Sequence, residues 1–274
     1  MTVFLYSDKN YEQISTSCIS SLKHKISDDV RIVYYTIGFD SDFEFKNLVK
    51  HRIKLNPLYP AFEFYKPELS LLTMELFPDD HYLFVDSDVV FSRRFKFDAV
   101  KHDHPYPLAS FGPHEYIYSW VQINGEIVKY DETKLMRYFS VPDRTQRYVF
   151  SCFYSFNPKC KDFMEEWMSM CKNKYLLNRR AEYFPFKDET SFNICLWKRG
   201  ATENYRFGFV NTHMVSTVKE VEKGAANQHF DNAIDAVGAK WEYVEDSSEV
   251  MFYHGFKEVS AIKEALDYLL GDEA

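Results

Sequence analysis

The sequence has neither of the usual backbone cradles for phosphate. No Gly-x-Gly-x-x-Gly run occurs among its nine glycines, and no Walker-type loop is present, which disfavours a dinucleotide oxidoreductase. Cysteine is scarce. The five thiols, Cys18, Cys152, Cys160, Cys171 and Cys195, are odd in number and show no Cys-x-x-Cys spacing. That pattern predicts buried free thiols in a reducing compartment, with neither a disulfide framework nor a zinc site. No apolar run reaches the roughly 20 residues needed to cross a bilayer, so no membrane span is expected. Residues 1–8 read as a strand and not as a leader, because no basic stretch precedes them and the apolar run is short. The expectation is a soluble, cytoplasmic protein. Positive charge is also in deficit, with 33 Lys and Arg against 41 Asp and Glu, a net charge of -8. A nucleic acid partner usually requires a basic face, so a nucleic acid acceptor is disfavoured.

Aromatic residues are abundant, with 25 Phe and 20 Tyr in 274 residues. Together with a hydrophobic fraction of 46%, they provide for a substantial core. Some tyrosines on loops would suit stacking on a base or a sugar ring.

The hydrophobic pattern alternates between strands and helices. Val3 to Tyr6 reads as a strand, and residues 10–25 as a helix with Tyr11, Ile14, Cys18, Ile19 and Leu22 on one face. Strands follow at Arg31 to Phe39 and at Ile53 to Leu55. Pro67 opens a second helix, and Tyr82 to Val85 forms the next strand. Such an order implies an α/β fold with a mostly parallel sheet flanked by helices. Residues 99–147, broken by proline and glycine, read as a long loop or insertion. Their Tyr116, Tyr118 and Trp120 are candidates for stacking on an acceptor. Further on come a strand at Tyr148 to Phe156, a helix at Lys161 to Leu177 and a helix at Asp188 to Trp197. A strand at Phe207 to Val210 leads into an irregular stretch, 215–245, suited to acting as a lid. A strand at Glu249 to Tyr253 and a helix at Ala261 to Leu270 close the chain. No linker divides the sequence, so one domain over 1–274 is expected.

Two carboxylates interrupt this apolar pattern. Asp86 and Asp88 end the run Tyr82 to Val85, and Val89 to Phe91 returns at once to apolar residues. Two acids between core segments repel one another and resist desolvation, and a hard divalent cation is the natural compensation. The crevice beyond the carboxyl ends of parallel strands is also the usual ligand site. A second Asp-Ser-Asp, Asp40 to Asp42, runs into the charged amphipathic segment Phe43 to Asn47 and reads as a solvated loop.

The constellation resembles the GT-A fold glycosyltransferases. It is nearest to the glycogenin and lipopolysaccharide-galactosyltransferase type, family 8, with one element similar to the blood-group transferases. Phe4 to Tyr11 resembles the opening strand and turn, which implies that Tyr6, Ser7 and Tyr11 hold the base and ribose of a donor. Lys66, before Pro67, resembles the basic residue that reaches a donor phosphate. Val85 to Asp88 resembles the Asp-x-Asp signature, with Asp88 on the metal and Asp86 on the metal or ribose. His254-Gly255-Phe256-Lys257 resembles a compressed His-x-x-Gly-x-x-Lys element, with His254 as third metal ligand and Lys257 at the diphosphate. Lys187 to Asn193 resembles the Asp-Glu-Ser-x-x-Asn element, which would set Asp188 or Glu189 beneath the reacting sugar carbon. For these two acids, capping of the helix start is the structural alternative.

The resemblance implies a nucleotide-sugar-binding half, 1–98, and an acceptor-binding and catalytic half, 99–274. It also implies Mn²⁺ or Mg²⁺, a UDP-linked nucleotide-sugar donor, an acceptor hydroxyl on a glycan or other molecule, and transfer with retention of configuration. Two alternatives stay open. A haloacid-dehalogenase-type phosphatase also ends a strand in Asp-x-Asp, and would release phosphate from generic esters. A transferase-like scaffold that only binds would hold a nucleotide sugar without turnover.

Overall fold

The computed structural model describes residues 1–59, 61–111, 120–123, 126–129, 133–146, 148–184, 187–205, 209–211, 218–219, 234–235, 238–239, 251–256 and 258–271. The chain folds as α/β, with a mostly parallel sheet and flanking helices, as its pattern predicts. It comprises two compact units. The first contains Met1–Leu55, Tyr82–Lys101 and Arg206–Ala274, and the second contains Asn56–His81 and His102–Tyr205.

In the first unit the strands are β1 (Thr2–Ser7), β2 (Arg31–Ile37), β3 (Leu48–Ile53), β4 (Tyr82–Val85) and β5 (Val89–Phe91), with the helix α1 (Glu12–Ser20) between β1 and β2. β3, β2, β1 and β4 lie side by side in that order, and all are parallel. Every residue of β1 and β4 is buried, so these strands read as unbroken apolar runs instead of alternating ones. β3 departs from this along its whole length. Its Lys50, His51 and Arg52 are at least partly exposed on the sheet edge. Charge there hides the strand in the sequence, and it begins and ends earlier than the expected Ile53 to Leu55.

α1 is shorter than the predicted 10–25. It is rich in hydroxyls, and Ser15, Ser17 and Ser20 each bond back to the carbonyl four residues earlier, at 2.9, 2.8 and 2.7 Å. Such bonds satisfy a buried hydroxyl but do not lengthen a helix. A second sheet contains Phe209–Asn211, Phe252–His254 and β5 in that order, with Phe252–His254 antiparallel to β5. The helix Val259–Leu270 seals this sheet. Ile262, Ala265, Leu266 and Leu269, at helical spacing, pack with Ile14, Val90, Tyr253 and Phe256. Arg93 secures its last turn, donating to Leu269 O at 3.2 Å and to Tyr268 O at 2.6 Å.

The second unit is organised around the strand Val149–Phe156, whose antiparallel partner is Leu108–Phe111. The helix Lys66–Leu76 opens with proline in its first turn, as predicted. The helix expected over Lys161 to Leu177 stops at Cys171. Asn173 then caps a new one, Lys174–Asn178, by accepting from Tyr175 N and Leu176 N. The stretch read as a loop also contains the hairpin Trp120–Ile123 with Glu126–Lys129 and the helix Thr133–Tyr138. Trp167, fully buried, packs edge-on against Tyr154 and Phe192 at centroid distances of 5.6 and 4.8 Å. An aromatic cluster of this kind dominates core energetics, and truncating Trp167 to alanine would cost about 3–5 kcal/mol.

Candidate functional site

The acid pair sits on a tight turn. Val89 N donates to Asp86 O at 3.2 Å, which closes Asp86-Ser87-Asp88-Val89 and links the end of β4 to the start of β5. The middle residue is anchored to β1, because Ser87 Oγ donates to Tyr6 O at 2.8 Å. Below the turn, α1 presents Cys18, whose thiol contacts Asp86 O at 3.9 Å. Burial pushes this thiol well above its usual range, and the nearby Asp88 and Asp86 carboxylates push it further. A neutral thiol therefore underlies the acids.

The third member of the site comes from the far end of the chain. In the antiparallel pairing with β5, His254 stands opposite Val89, Tyr253 opposite Val90 and Phe252 opposite Phe91. That register brings His254 Nε2 to 3.3 Å from Asp88 Oδ1. Asp86, Asp88 and His254 each offer a ligand atom, these atoms lie within 4.8 Å of one another, and all three residues are partly buried. Two carboxylate oxygens and one imidazole nitrogen form a donor set suited to Mn²⁺ or Mg²⁺. Among the described residues this is the one cluster of its kind. Asp40, from the other Asp-Ser-Asp, is instead paired with Arg52 at 2.5 Å on the surface.

Of the residues expected to hold a base and ribose, Tyr6 is buried and its ring stacks on Phe84 at 5.9 Å. Ser7 is buried with its hydroxyl 2.6 Å from Tyr34 Oη. Tyr11 is the exposed one, at 48%, and follows the turn in which Asp8 accepts from Tyr11 N. Lys257, Tyr116 and Tyr118 lie outside the described residues, and of Trp120 only the backbone is described. Of the expected lid, 215–245, the described residues are 218–219, 234–235 and 238–239.

The remaining expected residues meet in the second unit. Lys66, at the start of its helix, is buried, with Nζ 3.4 Å from Asp188 Oδ2. The same ammonium donates to Ser151 O at 3.1 Å and Ser151 Oγ at 3.3 Å. Ser151 Oγ donates to Asp188 Oδ2 at 2.8 Å, and Ser151 N donates to Glu189 Oε2 at 3.1 Å. Burial raises the Asp188 carboxyl above its usual range, with Lys66 and Ser151 pulling the other way. Glu189 is only half-buried. Sequence reasoning passed over Ser151, a serine inside an otherwise apolar strand. Asn193, the last residue of the Asp-Glu-Ser-x-x-Asn-like element and given no role of its own by the sequence, is buried; its side chain donates to Val149 O and accepts from Val149 N, both at 2.8 Å.

A mostly parallel α/β sheet, with two carboxylates on the turn that leaves its fourth strand, has the plan of a GT-A-like glycosyltransferase fold. No family model and no curated protein sequence matches the chain. Among solved structures it is similar to the apo form of WbbM, a bifunctional glycosyltransferase, with a TM-score of 0.60 and 12% identity. The likeness covers 97% of this chain and 49% of that one, so the chain spans about half the length of WbbM. At that identity the similarity is one of fold.

Proposed function

We propose that this protein is a metal-dependent glycosyltransferase that moves a sugar from a nucleotide-diphosphate donor, UDP-linked, to the hydroxyl of a glycan or other acceptor. The observation that most supports the reading is the convergence of Asp86, Asp88 and His254 from two distant chain segments. The glycosyltransferase-like fold supports the reaction class.

In this reading Asp86, Asp88 and His254 hold Mn²⁺ or Mg²⁺, and Asp86 also touches the ribose. A cation bound there supplies Lewis-acid neutralisation of the departing diphosphate. Tyr6, Ser7 and Tyr11 form the base and ribose side of the donor site, with Tyr11 supplying the exposed ring. Lys257 adds fixed positive charge at the diphosphate. The bond between the anomeric carbon and the diphosphate oxygen breaks, leaving oxocarbenium-like charge on the sugar. A carboxylate at the start of the helix Asp188–Lys198, from Glu189 or Asp188, acts at that carbon. The acceptor oxygen then bonds to that carbon, and its proton passes to the departing diphosphate oxygen, with retention of configuration.

A thermal-shift screen of nucleoside diphosphates and nucleotide sugars, with and without Mn²⁺, tests the proposal. Ligands that bind only the native state raise Tm by mass action. UDP and UDP-sugars should raise it with Mn²⁺ and fail to do so in chelator. A flat response to every diphosphate in the presence of Mn²⁺ would overturn the assignment.

A further inference from the structure

We infer that Lys66, Ser151 and Asp188 form a buried positioning device for Glu189, and that the Lys66 ammonium serves this device instead of a donor phosphate. The inference rests on the reading of Glu189 as the carboxylate that acts on the sugar.

Burial ties the two charges together. Lys66 is 3% exposed and Asp188 2% exposed, so neither charge is tolerable alone. Moving the ammonium out to meet a phosphate would strand a buried carboxylate and leave Ser151 without its donor. Asp188 does not serve as the cap of its own helix. The N-cap position is Lys187, and no side chain caps there. The Asp188 carboxylate is instead directed at Lys66 and Ser151.

Ser151 converts that pair into geometry. Its carbonyl and hydroxyl both accept from Lys66, and its N–H donates to Glu189 Oε2. One residue therefore joins the ion pair to the half-buried acid. The main chain is held as well, because Asn193 Nδ2 donates to Glu189 O at 2.9 Å while its amide bridges Val149. Just before the pair, Lys187 adopts φ 53° and ψ -125°, a conformation that side-chain-bearing residues avoid. Its ammonium is paired with Glu63. Strain of this kind persists only where the surroundings over-determine a segment. These contacts assign Asp188 and Glu189 different tasks, with Asp188 buried against Lys66 and Ser151 as a positioning residue and Glu189 as the acid that meets substrate.

The test compares the parent with K66M and K66M/D188N. The double variant removes both charges while keeping side-chain volume, which protects it from the fate of a single unpaired buried charge. Three quantities are measured: affinity for UDP with Mn²⁺ by calorimetry, hydrolysis of UDP-glucose and UDP-galactose, and the side-chain carboxyl ¹³C resonance of Glu189, assigned with E189Q. The expected result is unchanged UDP affinity, a kcat lower by about 100-fold at unchanged KM, as for a misplaced catalytic group, and a displaced Glu189 resonance. A clear loss of UDP affinity in K66M/D188N would make Lys66 a phosphate contact and overturn the inference. So would an undisturbed Glu189 resonance or undiminished turnover in that variant. If the parent itself neither binds UDP nor hydrolyses a UDP-sugar, the proposed function fails instead, and the Glu189 resonance alone decides whether the device exists.

Discussion

His254 and Asp88 are joined through the register of a small antiparallel sheet. His254 pairs with Val89, the residue after Asp88, and its Nε2 lies 3.3 Å from Asp88 Oδ1. A slip of one residue would turn the imidazole to the opposite face of the sheet. The packing that fixes the strand therefore also fixes the site. Tyr253 in the core beneath the helix Val259–Leu270 and Phe252 opposite Phe91 are its main elements.

Replacing Asp88 with alanine should abolish tight binding of Mn²⁺, seen by calorimetry or by the free Mn²⁺ resonance signal. The metal-free protein should keep its far-UV spectrum and lose no stability, because an unfavourable carboxylate pair has been relieved. Retention of parent-like Mn²⁺ affinity would remove Asp88 from the ligand set.

Gly255 follows the histidine at φ 93°, where a side chain is strained. Replacing it with alanine should cost on the order of 1–3 kcal/mol in urea unfolding. The same change should weaken Mn²⁺ binding, since relief of the strain displaces His254. A stable variant with parent affinity would show that this turn does not set the imidazole.

Stability in the second unit should fall in mild acid because of His102. Burial lowers its pKa to about 4 from the ordinary 6.5, an effect that the Ser155 carbonyl and Asp103 only partly oppose and that His104 and His81 reinforce. Geometry also favours the neutral ring. His102 Nε2 lies 3.0 Å from Ser155 O, and Nδ1 accepts from His104 N at 3.2 Å. Because the folded pKa is the lower one, the unfolded chain takes up the proton first. Stability is then complete above about pH 6.5 and declines towards pH 4 by up to about 1.4 kcal/mol per unit. Urea titrations across that range should show the slope in the parent and a shallower one in His102→Gln. Equal slopes would dismiss the residue as a source of acid sensitivity.

Asn193 ties the strand Val149–Phe156 to the helix Asp188–Lys198 with bonds at both ends of its amide. Replacing it with alanine should cost about 2–4 kcal/mol, because two buried backbone groups lose their partners. Chemical unfolding measures the loss. A change below about 1 kcal/mol would mean that water or a neighbour replaces the amide.

The parallel α/β plan was legible in the sequence because buried parallel strands spell unbroken apolar runs, as in Val3 to Tyr6 and Tyr82 to Val85. Asp86 and Asp88 were legible for the same reason, as charge set between two such runs. β3 escaped because an edge strand tolerates Lys50, His51 and Arg52. The break after Cys171 escaped because the apolar spacing continues through Leu176 and Leu177, and only the Asn173 cap marks it. The partnership of Lys66 with Asp188 had no local signal at all. Each residue reads as an ordinary charge near a helix start, and only the fold reveals that both are buried. Ser151 was invisible in the same way, since its role lies in where its N–H, carbonyl and hydroxyl point.

The gathering of Asp86, Asp88 and His254 has a consequence for how the molecule matures. A polypeptide synthesised only as far as residue 250 already holds both acids but lacks the imidazole and the ladder that orients it. Capture of an ion at the proposed site would thus be a late event, following the pairing of Phe252–His254 with β5. An ion held there would clasp early and late segments of the first unit, and a chelator should lower the Tm of the metal-loaded protein to that of the metal-free one.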